Sequence, residues 1–213
     1  MPKTSLIIDS AACDPLVNAS GNRYRATGYS ERYRILKEKV LPAALSQDFD
    51  EVFVCGSFEA GKGYEYIPLD PRYRDRRDAL WQREMGARYA TGDVLVFSHD
   101  DHALDSNFNN ELYLHWCGVD ESKAPLAQPW DLLIPRRTHG ITGATLENGK
   151  TAGYMGGHAL VMKRWLWARV GWLSVDTEWW DVSLSRLWRE AGGKLVHCED
   201  LIHVDMEATE AEA

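Results

Sequence analysis

The chain has 213 residues, 45% of them hydrophobic and 26% charged, which suits a globular protein built on one large core. Its formal net charge of −8 repels phosphate polymers and argues against general nucleic-acid binding, although RYRDRRDALWQR concentrates enough arginine for a local basic groove. No apolar run approaches the length of a membrane span.

SLIID, ending at Asp9, reads as a first strand, and YSERYRILKEKVLPAAL reads as a helix capped by Ser30, with Pro42 placed to kink or end it. DEVFVCGS is a second strand closing in a Gly-Ser turn, and YEYIPL is a shorter third. RDRRDALWQREMGARYATG is a helix stopped by Gly92. DVLVFS follows, apolar on both faces as a central strand must be. Beyond it, NFNNELYLHWCG has a helical pattern and WDLLIPRR a strand pattern. THGITGATLENGKTAGYMGG is expected to be a long mobile loop. HALVMKRWLWARVG is a strand entering a short helix, VDTEWWDVSLSRLWREAGG is a helix, and KLVHCEDLIHVD holds one or two short strands. The alternation predicts an α/β fold with a mostly parallel central sheet flanked by helices. It predicts one domain over residues 1–205 and a frayed acidic tail over 206–213. Cys13, Cys55, Cys117 and Cys198 form no CxxC pair. With no signal-peptide core in MPKTSLIIDS, this suggests reduced thiols in a cytoplasmic protein.

At the end of the central strand stand His99, Asp100, Asp101 and His102. If the strand runs through them, His99 and Asp101 share one face and can hold a cation between them, while Asp100 and His102 share the other. Carboxylate with imidazole suits Mn²⁺, and the carboxylate suits Mg²⁺. A solvated turn with adjacent acids by chance is the plainer alternative.

The segment ARYATGDVLVFSHDDHAL resembles the stretch leading into the DxD motif of GT-A glycosyltransferases of the family 2 type, with His99 in place of the first acid. QREMG, GYMGGHALVMKRWLWARVGWL, WWDVSLSRLWREAGGKLVH and LIHVD resemble further segments of that family in the same order. The resemblance covers most of the chain, from SLIID to His203, and departs from the family at His99, at Trp180 and at FVCGSFE. It implies the GT-A fold and transfer of a sugar from a nucleotide-diphospho-sugar, a UDP-sugar first, to an acceptor hydroxyl. It implies Mn²⁺ or Mg²⁺ on His99, Asp101 and His203, with Asp9, Arg83, Asp100, Gly156 and Gly157 around the donor. Asp181 takes the place of the general base of an inverting reaction.

The residues themselves leave other roles open. Asp181 opens a helix whose apolar stripe is Leu184, Leu187, Trp188 and Ala191, so it could equally stabilise that helix N-terminus. The chain has nine tryptophans. Trp179 and Trp180 flank Asp181 and are the candidates for stacking on an acceptor, whereas Trp188 and Trp165 fit a core. The acceptor could be a glycan, a small molecule or a modified nucleobase. Two rival readings are a nucleotide- or sugar-binding domain without catalysis and a metal-dependent nucleotidyltransferase.

Overall fold

A computed structural model describes residues 2–10, 29–56, 58–68, 78–117, 130–142, 145–146, 158–174 and 180–206. Strand β1 (Thr4–Ser10) is buried along its whole length. It pairs in parallel with β2 (Glu51–Gly56) on one side and β4 (Val94–His99) on the other, and β3 (Glu65–Pro68) extends the parallel half beyond β2. Beyond β4 the sheet is mixed. β8 (Leu160–Lys163) runs antiparallel to β4 and to β6 (Leu132–His139), and β6 pairs in parallel with β9 (Leu195–Asp205). β5 (His102–Leu104) closes that edge antiparallel to β9, and β7 (Thr145–Leu146) pairs with the end of β6. Most of the paired residues therefore run parallel, in one curled α/β sheet.

Side-chain alternation sends the apolar strand residues into two layers. Leu6, Ile8, Val54 and Val96 meet Leu36, Val40 and Leu41, together with Phe108 and Leu112 of α4 (Phe108–Cys117). Ile7, Phe53, Leu95 and Phe97 meet Leu80 and Ala87 of α3 (Asp78–Tyr89), Leu166 of α5 (Arg164–Arg169), and Leu184 and Trp188 of α6 (Trp180–Glu190). Gly86 lets α3 lie close on the sheet, because a Cβ there would collide with Ile7 and with Cys55.

Pro42, placed to kink or end its helix, does not end it. α1 (Tyr29–Ile35) passes through a π turn (Leu36–Val40) into α2 (Leu41–Leu45), and the Leu41 N–H reaches back to the Leu36 carbonyl. Proline lacks the N–H that would bond the carbonyl four residues earlier, so the preceding turn widens. The expected mobile loop is in part sheet: Thr138 and His139 end β6, and Thr145–Leu146 pairs back on it. Residues 143–144 and 147–157 of that loop, with Gly156 and Gly157, lie outside the described residues, as do Trp179 and the tail from residue 207. Finally, the last segment is one long strand. Its register on β6 jumps from Pro135↔Cys198 to Arg136↔Ile202, so Glu199 and Asp200 bulge outward.

Candidate active site

The parallel register sets Asp9 of β1 beside His99 of β4. Asp9 accepts a hydrogen bond from Arg83 Nε at 2.7 Å and pairs with His99 Nδ1. Arg83 projects from α3, is 0% exposed, donates to the His158 carbonyl at 3.0 Å, and stacks on the rings of Trp172 and Trp180. Burial alone would raise the Asp9 carboxyl. The positive charge of Arg83, with His99, outweighs it and holds Asp9 below its ordinary range. Asp9 and Arg83 thus face each other, and the His99 nitrogens lie against this pair: Nδ1 on Asp9 and Nε2 at 3.3 Å from an Arg83 amine.

The acids that follow His99 are not on a continuing strand. β4 ends at His99, Asp100 and Asp101 form a turn, and β5 resumes at His102. Both carboxylates are buried, and both meet Arg32 of α1, Asp100 Oδ1 at 2.7 Å and Asp101 Oδ2 at 2.5 Å. The expected division into two faces therefore gives way to one guanidinium clamp on both acids. Ser10 Oγ donates to the second oxygen of Asp100 at 3.3 Å, and His102 Nδ1 lies 2.6 Å from Asp101 Oδ1. Burial raises the carboxyl of Asp100, with Arg32 opposing and the charge of Asp101 adding to the rise. Asp101 is also pushed up by burial, but His102 and Arg32 together hold it well below its ordinary range.

Antiparallel pairing of β5 with β9 brings the C-terminal strand to this turn, with His102 opposite Asp205 and Leu104 opposite His203. Asp205 binds Arg137 and lies 3.5 Å from His102 Nε2. Burial works against charge on His102, but Asp101 and then Asp205 overcome it and raise the imidazole to about 9. The His102 ring lies 5.0 Å from that of His203 and 4.9 Å from that of His158. The latter two are held well below the ordinary imidazole value, first by burial and then by the charge of His102. His203 Nδ1 is buried and has no hydrogen-bond partner among the described residues.

Asp181 lies in the first turn of α6 and is partly exposed. Its Oδ1 accepts the N–H of Val182 at 2.8 Å, and its carbonyl accepts from Ser185 Oγ at 2.7 Å. Trp180, one residue before it, rests on Arg83 and edge-on against Trp172. The start of α6 is thereby connected to the Asp9–His99 pair through one guanidinium. Trp172 and Trp188 are fully buried core residues, whereas Trp165 is on the surface.

Of the residues singled out in the sequence, the fold gathers Asp9, Arg83, His99, Asp100, Asp101 and His203 at the carboxyl ends of β1 and β4, the end at which open α/β sheets bind ligands. Arg32, His158, Arg137 and Asp205 were missed. Only His158 carried a local signal, an imidazole straight after a Gly-Gly turn and before a strand. Among the described residues no three potential ligands converge on a metal position, and Arg32 and His102 hold the oxygens of Asp101.

This architecture is the GT-A glycosyltransferase fold. Over 99% of its length the chain superposes, with a TM-score of 0.60 and 13% identity, on the mannosyltransferase PcManGT from Pyrobaculum calidifontis, solved in complex with GDP-Man and Mn²⁺. It also superposes over 97% of its length on TarS of S. aureus, with a TM-score of 0.56 and 10% identity. The chain spans 59% of the length of each of those two structures. No protein-family model and no curated protein sequence matches it. Among the described residues no helix is long and apolar enough to cross a membrane.

Proposed function

We propose that the chain is a glycosyltransferase that moves a sugar from a nucleotide-diphospho-sugar to an acceptor hydroxyl, with inversion. The observation that carries this reading is the placing of Asp101, on the turn after β4, and of His203, on β9, in one buried cluster around His102 at the ligand-binding end of a GT-A fold. Asp101 offers anionic oxygen, its Oδ2 once Arg32 withdraws, and His203 offers a buried Nδ1 with no partner among the described residues, donors whose chemistry suits Mn²⁺ or Mg²⁺. A divalent cation held there supplies positive charge to the diphosphate leaving group.

In this reading Asp181 removes the proton from the acceptor hydroxyl while that oxygen attacks the sugar C1 and the bond from C1 to the diphosphate oxygen breaks. Its Oδ2 has no partner among the described residues. Asp9 and Arg83 fix His99 and the entry to α6 rather than meeting the donor directly. Trp180, with Trp179 beside it in sequence, borders the acceptor side. The UDP-sugars are the first donors to test, and the GDP-Man bound by the mannosyltransferase adds GDP-sugars. Release of nucleoside diphosphate from such a panel, with Mn²⁺ and varied acceptors, tests the proposal. Turnover of one donor into an inverted glycoside supports it. Donor binding without turnover favours the non-catalytic reading, and retention of configuration removes Asp181 from the role of base.

A further inference from the structure

Arg32 forms a planar fork across both acids of the turn, 2.7 Å from Asp100 and 2.5 Å from Asp101, and its side chain is almost wholly buried there. Two carboxylates side by side repel each other in a buried site, and a guanidinium relieves that repulsion without any metal. The same oxygens are the ones a divalent cation would need.

Resting on the cation site proposed above, we propose that Arg32 is an internal counter-ion that excludes the divalent cation: guanidinium and metal occupy the acid pair in alternation. The clamped form keeps the acids neutralised and the site closed to metal until the cation displaces Arg32. A site that is competent in only a minor fraction of molecules binds its ligand more weakly by that fraction. Deleting the guanidinium therefore tightens metal binding.

The test is Mn²⁺ binding to the full chain without donor, followed by calorimetry and by electron paramagnetic resonance of free Mn²⁺. Arg32→Gln is expected to bind Mn²⁺ at least about tenfold more tightly than the wild type. Arg32→Lys, a point charge that cannot fork across both acids, is expected to fall between them. A second measurement uses the unaltered protein: an arginine-selective dicarbonyl should label Arg32 slowly without metal and faster when Mn²⁺ is added, read by peptide mass spectrometry. Wild-type Mn²⁺ affinity retained in Arg32→Gln, or labelling of Arg32 unchanged by Mn²⁺, overturns the exclusion and leaves the cation site standing. No Mn²⁺ binding by either protein overturns both.

Discussion

Asp9 and Arg83 form an ion pair 2.7 Å long with both side chains withdrawn from solvent. The pair joins the central strand β1 to helix α3, and Arg83 goes on to His99, the His158 carbonyl and Trp180. It is the girder on which the candidate site is mounted. Replacing one partner of a buried pair leaves the other charged and unmatched, a loss of about 3–5 kcal/mol. Asp9→Asn should lower stability by that amount in urea unfolding. A change below about 1 kcal/mol would show that the remaining contacts of Arg83 suffice.

Gly86 sits one turn beyond Arg83 on the same helix, with Ile7 and Cys55 where a side chain would be. Overpacking of this kind costs about 1–3 kcal/mol. Gly86→Ala should therefore destabilise the chain, although alanine is the better helix former, and it should lift Arg83 away from Asp9. Thermal unfolding gives the sign directly, since helix propensity alone predicts a stabilised protein.

Much of this scaffold is legible in the sequence. SLIID and DVLVFS are continuous apolar runs because both strands are covered on two faces, and the helix stripe of Leu184, Leu187 and Trp188 declares the buried side of α6. The long strand β9 is harder to read. Glu199 and Asp200 interrupt its apolar pattern, and only pairing with β6 across the bulge shows that the strand continues. The site divides in the same way. Asp101 and His203 stand out by residue type, whereas Arg32 lies among the charged residues of a surface-like helix and meets its partners only through the fold. The turn at Asp100 and Asp101 was likewise hidden, because a buried turn and a strand end look alike until hydrogen bonding is known.

The acid cluster predicts a two-sided pH dependence of stability. Asp9, Asp101 and Asp205 are all held below the ordinary carboxyl value of 3.8 in the folded chain. Their contribution is complete above that value and is lost as the pH falls through the lower folded values. Asp100, raised by burial, runs the other way. His102 is raised from 6.5 to about 9, so its contribution is complete below 6.5 and is lost as the pH rises through 9. Unfolding free energies measured from acid to alkaline pH should decline at both ends, and His102→Gln should flatten the alkaline decline. An unchanged alkaline slope in that variant would assign it to another group.

Asp181→Asn separates a base from a helix stabiliser. The amide keeps the shape and can still accept the Val182 N–H, but it cannot take a proton. Loss of a general base lowers turnover by about 10²–10⁴-fold, with donor affinity and melting temperature nearly unchanged. Retained turnover with a lowered melting temperature would identify Asp181 as a structural residue only.

The central claim, that the acid turn and His203 form a cation–diphosphate site, is tested most directly by titrating a nucleoside diphosphate into the chain with and without Mn²⁺. Calorimetry on the wild type should show binding that requires Mn²⁺, and Asp101→Asn, checked for an intact melting transition, should abolish that metal-dependent part. Equal binding in both proteins, or equal binding with and without Mn²⁺, would contradict it.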